Sequence, residues 1–248
     1  MKHVNSADSA ERIRLMGHRA YVGGTDSESW YSIGRLQYHF LVAEGLLPSH
    51  SFLDVACGSL RLGQFLIPYL ERRNYHGLDA EKDLIQAGLS KELDSRVLEQ
   101  RCPTFFVCDD FSFPWEFTVK NGKIAPNDDV FAGSFLPRID IAMAQSLITH
   151  LTPEDIYLFL SGMGRVMAEN GRLYTTFFLG DSGKNPRESH PNLAFFYSES
   201  EIKNMFLDHG FTVDSIKEWN HPRGQLMISS HYNAPVIIDY SSTIRGMR

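Results

Sequence analysis

The sequence is poor in cysteine, and its few cysteines form no recognisable pattern. The 248 residues include three of them, Cys57, Cys102 and Cys108, and no two are spaced as a CxxC pair. A disulfide framework or a structural zinc site needs paired cysteines, so we expect neither and predict no bound metal. Reduced cysteines are typical of cytoplasmic proteins, so we predict a cytoplasmic location.

Long apolar runs and an excess of positive charge are also missing. No window approaches the roughly 18 apolar residues of a transmembrane helix, and the N-terminal stretch MKHVNSADSAERIRLMG lacks the apolar core of a signal peptide. The formal charge is −6, with 24 basic and 30 acidic residues. Proteins that bind nucleic acid or anionic membranes usually carry a basic excess, so we expect neither as a partner.

Two glycine-rich nucleotide-binding motifs are absent. The segment DVACGSLRLG would need glycine at positions 56 and 61 to match the GxGxxG dinucleotide fingerprint, but it has Ala56 and Arg61. A P-loop is excluded because no GK[ST] sequence is present.

The apolar pattern that is present alternates between helical periodicity and short runs. It predicts helices over 7–17 and 28–45, and then strands separated by helices. The predicted strands are 51–55, 75–78, 104–107, 139–144, 172–179, 211–219 and 225–230. The last two are joined by the short link NHPRG, which permits only antiparallel pairing. Segment 111–138 is expected to be an extended loop or a short hairpin.

Strands separated by helices predict βαβ units and a parallel sheet. We therefore predict an α/β fold with a seven-stranded, mostly parallel, Rossmann-like sheet, one antiparallel strand, and helices on both faces. Residues 1–50 are expected to form a helical N-terminal cap, and residues 51–248 one compact domain.

Ligands of open α/β sheets bind beyond the carboxyl ends of the strands. Those ends carry Asp54, the turn Ala56–Gly58, Asp79, Asp109 and Gln145. The small residues of the turn let a ligand approach the backbone closely. Asp79 can accept hydrogen bonds from ribose hydroxyls or cap the following helix. Asp109, Asp110 and Phe111 can hold an adenine or form a turn with a core phenylalanine.

The segments FLDVACGSLRLG, YHGLDAEKDLIQAG, FFVCDDFSF, IDIAMAQSLITHLTPEDI and GRLYTTFF, in this order, resemble the successive motifs of class I S-adenosylmethionine-dependent methyltransferases. The resemblance covers roughly residues 50–230 and implies S-adenosylmethionine as the cofactor. It implies that the first loop holds the methionine part, that Asp79 holds the ribose, and that Asp109 with Asp110 holds the adenine. The family usually has glycine where this chain has Ala56.

The N-terminal stretch YVGGTDSESWYSIGRLQYHFL looks like the cap of some small-molecule members of that family. By this resemblance, Tyr21 and Gln37 would reach the methionine end and close over the cofactor. His150 follows the fourth strand, and an imidazole titrates near neutrality, so it is the candidate general base. Alternatively, His150 only bonds the start of the next helix.

The expected reaction is therefore methyl transfer to an oxygen or nitrogen of a small molecule, such as a sugar, a glycan precursor or a natural product. The [DNS]PP[YF] motif of DNA amino-methyltransferases is absent, and Gln145–Ser146 takes its place. Three alternatives stay open from sequence: a protein methyltransferase, a non-catalytic module that binds S-adenosylmethionine, and an NAD-dependent reductase.

Overall fold

A computed structural model describes residues 6–23, 27–109, 116–120, 123–126 and 138–233 of the chain. Its helices are α1 (Ser6–Met16), α2 (His18–Tyr21), α3 (Ser27–Ala43), α4 (Gly63–Tyr69), α5 (Lys82–Lys91), α6 (Ser95–Arg101), α7 (Pro153–Val166) and α8 (Glu199–Leu207). Its strands are β1 (Phe52–Val55), β2 (Tyr75–Asp79), β3 (Thr104–Val107), β4 (Glu116–Lys120), β5 (Lys123–Pro126), β6 (Ile139–Ala144), β7 (Met167–Leu179), β8 (Phe196–Tyr197), β9 (Phe211–Glu218) and β10 (Leu226–Tyr232). Within these residues, no helix combines the length and the apolar character needed to cross a membrane.

The strands form one sheet in the order β5-β4-β3-β2-β1-β6-β7-β10-β9. The central strands β3, β2, β1, β6 and β7 are mutually parallel. β10 runs antiparallel between β7 and β9, as its short link to β9 requires. The predicted mostly parallel, Rossmann-like sheet with one antiparallel strand is therefore confirmed, and its seven strands are consecutive in the observed sheet, from β3 to the edge strand β9.

The sheet is wider than the predicted seven strands. The segment expected to be a loop or short hairpin contributes β4 and β5, which pair antiparallel and extend the edge beside β3. The two-residue strand β8 pairs with the end of β7. The sequence pattern also missed α6, whose seven residues are too short for helical periodicity to be read.

The central strands β1 and β2 are buried because helices cover the sheet on both faces. All four residues of β1 and all five of β2 are buried, which is typical of strands with packing on both sides. One core cluster joins the sheet to α7 and α8. The other joins its opposite face to α3, α4, α5 and α6.

Local sequence signals set the starts of α7 and α8. The Thr152 hydroxyl accepts a hydrogen bond from the backbone of Asp155, and Pro153 occupies the first helical position. Ser198 and Glu201 form a capping box at the start of α8. Each device satisfies backbone N–H groups that a helix leaves unpaired at its amino end.

The short helix α2 joins the N-terminal helices to α5. The Arg19 guanidinium donates two hydrogen bonds, of 2.9 and 2.8 Å, to the buried carboxylate of Glu92. His18 Nε2 lies 3.1 Å from the same carboxylate. Arg19 also lies over the Trp30 ring, 4.6 Å from its centroid, so one cluster holds α2, α3 and the end of α5 together.

Candidate active site

A cavity of about 1190 Å³ opens at the carboxyl ends of β1, β2, β3 and β6. Its walls include these strand ends, α1, α2, and residues of the loops that follow β7 and β9. The predicted site residues Tyr21, Asp54, Ala56, Gly58, Asp79, Asp109, Gln145 and His150 all line it. The structure thus brings these eight together, whereas Asp110 and Phe111 lie outside the described residues.

The turn after β1 has an unusual backbone. Ala56, Gly58 and Leu60 have φ angles of 56°, 54° and 64°, in the left-handed region. A side chain in this region costs roughly 1–2 kcal/mol, so the turn is strained at Ala56 and Leu60. At Gly58 a Cβ atom would also lie 3.2 Å from Cγ1 of Val22. The close approach of Val22 leaves little room for a side chain at Gly58.

Asp79 connects this turn to the start of α5. Its Oδ2 accepts a hydrogen bond of 2.7 Å from the Gly58 backbone, and its Oδ1 accepts one of 2.8 Å from the Glu81 backbone. Burial raises the pKa of Asp79 to about 6, although the backbone hydrogen bonds act in the opposite direction. The residue that precedes α5 is Glu81, and no side chain of the described residues caps this helix. The Glu81 contact of Asp79 is therefore a turn contact, and the capping alternative for this carboxylate is wrong. The Gly58 contact places the same carboxylate at the first loop.

Asp54 is a second buried carboxyl group on the cavity wall. The Tyr75 hydroxyl donates a hydrogen bond of 2.7 Å to its Oδ2. Burial raises the pKa of Asp54 to about 7, and the Tyr75 hydrogen bond and the Arg61 charge only partly counteract it. Asp54 is therefore divided between its neutral and charged forms near physiological pH.

Gln145 is the centre of a polar cluster at the end of β6. Its Oε1 accepts hydrogen bonds from Arg61 and, at 3.3 Å, from Gln37. Its Nε2 lies 3.2 Å from Gln225 Oε1 and 3.3 Å from His221 Nε2. The cluster joins α3, the first turn, β6 and the start of β10.

Sequence reasoning missed several members of this Gln145 cluster. Gln225 also accepts a 2.8 Å hydrogen bond from the Thr176 hydroxyl in β7, and neither residue was singled out from sequence. The available signal was a polar residue in an otherwise apolar strand, as at Thr176 in RLYTTFFL. Spacing alone does not reveal such a cluster, because Gln145 and Gln225 are 80 positions apart.

His150 ends the single turn of 3₁₀ helix Ile148–His150. Its Nδ1 lies 2.8 Å from the Leu193 carbonyl oxygen. A carbonyl only accepts, so Nδ1 carries the proton and the neutral ring keeps its lone pair on Nε2. Burial is the main cause that lowers the pKa of His150, and Arg223 and His190 lower it further. The neutral imidazole is the form that can accept a proton.

The loop between β7 and α8 is fixed against His150 by backbone contacts. The His190 N–H donates to the His150 carbonyl at 3.0 Å, and the Phe195 N–H donates to the Thr149 carbonyl at 2.9 Å. With the Leu193 contact, these bonds place the loop on the side of the cavity near His150.

Tyr21 and Gln37, both expected near the methionine end, lie at different places. The Tyr21 hydroxyl donates to the Glu81 carboxylate, 3.0 and 3.1 Å from its two oxygens, beyond the end of β2. The Arg12 guanidinium lies 5.3 Å from the centroid of the Tyr21 ring. Gln37 instead contacts Gln145 at the end of β6.

Among the residues that the structure describes, no group of three metal-ligating side chains converges.

No protein-family model matches the chain, but several solved structures share its fold. One is the magnesium protoporphyrin IX methyltransferase of Synechocystis PCC 6803 with bound S-adenosylhomocysteine, at a TM-score of 0.59 and 16% identity over 92% of this chain and 95% of that chain. Another is the 1,6-didemethyltoxoflavin-N1-methyltransferase of Burkholderia thailandensis with its acceptor and S-adenosylhomocysteine, at a TM-score of 0.59 and 14% identity over 94% of this chain and 92% of that chain.

A third is an S-adenosylmethionine-dependent methyltransferase of Clostridium acetobutylicum, at a TM-score of 0.56 and 10% identity over 92% of this chain and 100% of that chain. These similarities show that the chain has the fold of class I methyltransferases, as its motifs suggested.

Proposed function

We propose that the chain is an S-adenosylmethionine-dependent methyltransferase that acts on an oxygen or nitrogen of a small molecule. The observation that carries the proposal is the position of Asp79. Its carboxylate lies at the carboxyl end of β2 and is bonded to the Ala56–Gly58 turn, in a fold whose solved examples hold S-adenosylhomocysteine. A strand-2 carboxylate beside a close-approach turn is suited to a ribose.

The residues of the cavity fit such a cofactor. The Asp79 oxygens accept the Gly58 and Glu81 N–H groups, and a carboxylate has about four acceptor sites, so Asp79 keeps capacity for a ribose hydroxyl. Hydroxyl donors favour the charged carboxylate, so binding is expected to lower the pKa of Asp79 from about 6. The turn Ala56–Gly58 would take the methionine part, and Asp109, with Asp110 and Phe111, the adenine.

His150 is the proposed general base. Bound S-adenosylmethionine supplies a methyl group on a sulfonium, and the protein must align the acceptor with it and exclude water. The Leu193 carbonyl fixes the His150 proton on Nδ1. Nε2 is then the atom that takes the proton from an acceptor hydroxyl or ammonium. Burial lowers the pKa of His150 and so favours the neutral ring.

The shape of the cavity supports a small acceptor. Its volume of about 1190 Å³ exceeds the roughly 300–1,000 Å³ typical of one small-molecule site. Space therefore remains beside a cofactor, on the side of His150 and the loop that bears Leu193. Two of the three structural neighbours named above are methyltransferases of magnesium protoporphyrin IX and of 1,6-didemethyltoxoflavin. A sugar, a glycan precursor and a natural product all remain candidate acceptors here.

Calorimetric titration with S-adenosylmethionine, S-adenosylhomocysteine and NAD(H) tests the proposal. Micromolar binding of the two sulfur ligands to the wild type, lost in Asp79→Ala, is the expected result. Asp83→Ala, an exposed carboxylate on α5, is the matched control and should bind normally. Binding of NAD(H) alone would assign the chain to the reductases. Circular dichroism of each variant shows whether a lost titration reflects the site or the fold.

A further inference from the structure

The Arg61 guanidinium lies on the cavity wall and forms few hydrogen bonds to the rest of the protein. It stands three residues after Gly58, and its side chain is partly buried. One side-chain hydrogen bond is present, from Nη2 to the Gln145 Oε1. A guanidinium has five N–H donors, so most of its donors bond no described residue.

The positive charge of Arg61 is also not neutralised by the described part of the chain. Asp54 attracts it electrostatically, but that carboxyl group accepts a hydrogen bond from the Tyr75 hydroxyl, and burial raises its pKa to about 7. No described carboxylate forms an ion pair with the Arg61 guanidinium. A partly buried charge without a partner is costly, and a ligand that brings a negative charge would offset this cost.

Arg223 adds a second positive charge to the same wall. It follows β9, lines the cavity, and donates through Nη2 to the backbone carbonyl of Gly23. Burial is the main cause that lowers the pKa of Arg61, and the charge of Arg223 lowers it further. Two neighbouring like charges repel, and an anion between them converts this repulsion into attraction. An Arg pair of this kind suits a planar carboxylate.

Gln37 supplies a complementary acceptor in the same cluster. Its side chain is buried, and its Oε1 has no hydrogen-bond partner among the described residues, although its Nε2 bonds Gln145. An unsatisfied buried acceptor favours a ligand that donates. The Arg61 guanidinium and the Gln37 amide group are both hydrogen-bonded to Gln145. The guanidinium can bind a carboxylate and the free amide oxygen can accept from an ammonium group, so together they match the two charges of an amino-acid zwitterion.

We propose that Arg61, assisted by Arg223, forms an anion subsite that takes a carboxylate of a ligand. This inference rests on the proposed function, because the Ala56–Gly58 turn places the subsite beside the methionine part of the cofactor. The α-carboxylate of S-adenosylmethionine is the first source, and its α-ammonium would donate to Gln37. A carboxylate on the acceptor is the second source with the same chemistry.

Two ligands that differ by the amino-acid group test the subsite. S-adenosylhomocysteine carries the α-carboxylate, and 5′-methylthioadenosine keeps the adenosine but lacks it. Calorimetry of the full chain should show that Arg61→Gln weakens S-adenosylhomocysteine roughly 10- to 100-fold, the value of charge-assisted hydrogen bonds. Binding of methylthioadenosine should not change. Arg61→Lys should recover part of the loss, and Arg96→Gln, an exposed arginine on α6, should have no effect.

The second source is tested with benzoate as the probe carboxylate, titrated into protein saturated with S-adenosylhomocysteine. If Arg61→Gln leaves the affinity for S-adenosylhomocysteine unchanged but abolishes benzoate binding, the subsite binds a carboxylate of the acceptor and not that of the cofactor. Equal weakening of both adenosine ligands would overturn the proposal, because Arg61 would then act only through the fold. The proposal would also be overturned if Arg61→Gln changed the affinity for neither S-adenosylhomocysteine nor benzoate.

Failure of the proposed function has a different signature. The wild-type protein would then bind neither S-adenosylhomocysteine nor methylthioadenosine. In that case benzoate titrated into the ligand-free protein still decides the subsite, by the difference between wild type and Arg61→Gln.

Discussion

Replacing Asp54 with asparagine should change how the stability of the protein depends on pH. Asp54 is 4% exposed, and burial raises its pKa from 3.8 to about 7. Folding therefore favours the protonated carboxyl group. A group whose pKa is raised on folding contributes stability that is complete below its unfolded value and is lost as the pH rises through its folded value. For Asp54, this loss extends from about pH 4 to about pH 7.

The size of the effect follows from the same interval. The step from 3.8 to about 7 corresponds to roughly 4 kcal/mol of unfolding free energy. Asparagine has nearly the same shape, stays neutral, and keeps an oxygen that accepts from the Tyr75 hydroxyl. At pH 8 the Asp54→Asn protein should thus be more stable than the wild type, by up to roughly 4 kcal/mol. Near pH 4 the two should be equal.

Urea unfolding between pH 4 and pH 8.5, followed by circular dichroism, measures this difference. The matched control is Asp208→Asn, an exposed carboxylate after α8, which should track the wild type throughout. Asp79 also has a raised pKa, but it is present in both proteins, so most of its contribution cancels. A difference between Asp54→Asn and wild type that stays constant across the range would refute the account of a buried, partly protonated carboxyl group.

Substitutions at three other sites have distinct expected results. His150→Gln should lower the rate of methyl transfer by roughly 10²- to 10⁴-fold, while S-adenosylhomocysteine binds normally. In the wild type, activity should rise with pH through a value below 6.5 and then level off, because the neutral imidazole is the base. A radiolabelled-methyl assay checks both points, and a rate unaffected by the variant would remove His150 as the base. Glu92→Gln should destabilise the protein by roughly 1–3 kcal/mol, because the Arg19 guanidinium loses its charged partner. Limited proteolysis of this variant should cut first near α2. A cleavage pattern like that of the wild type would argue against a role of Glu92 in holding α2. Ala56→Gly should leave the free energy of unfolding within about 1 kcal/mol of the wild type, since relief of the left-handed strain offsets the added unfolded-state entropy. Ala56→Val should lower the free energy of unfolding. If urea unfolding shows that valine is tolerated, the φ of 56° at this position is contradicted.

The central sheet could be predicted from sequence because each of its strands is a short apolar run between turn residues. The antiparallel last strand followed from the length of one link, which leaves no room for a crossover. The starts of α7 and α8 are marked in the sequence by capping residues within three positions of each other. These are local signals, and local signals do not depend on the rest of the fold.

The candidate site was only partly accessible in the same way. Asp79 could be found because it ends a strand, at the edge where ligands of such sheets bind. The partners of Gln145 could not, since Arg61 and Gln225 come from segments 84 and 80 positions away. Their convergence depends on the order of the strands. The strained φ of Leu60 was hidden for another reason: a buried leucine looks in sequence like an ordinary start of a helix.

A crystal structure of the protein with S-adenosylhomocysteine tests the central claim most directly. The account predicts the ligand in the cavity at the ends of β1 and β2, with its ribose hydroxyls on Asp79 and its amino-acid end beside Ala56–Gly58. Density for the ligand elsewhere on the surface, or an adenosine that makes no contact with Asp79, would contradict it.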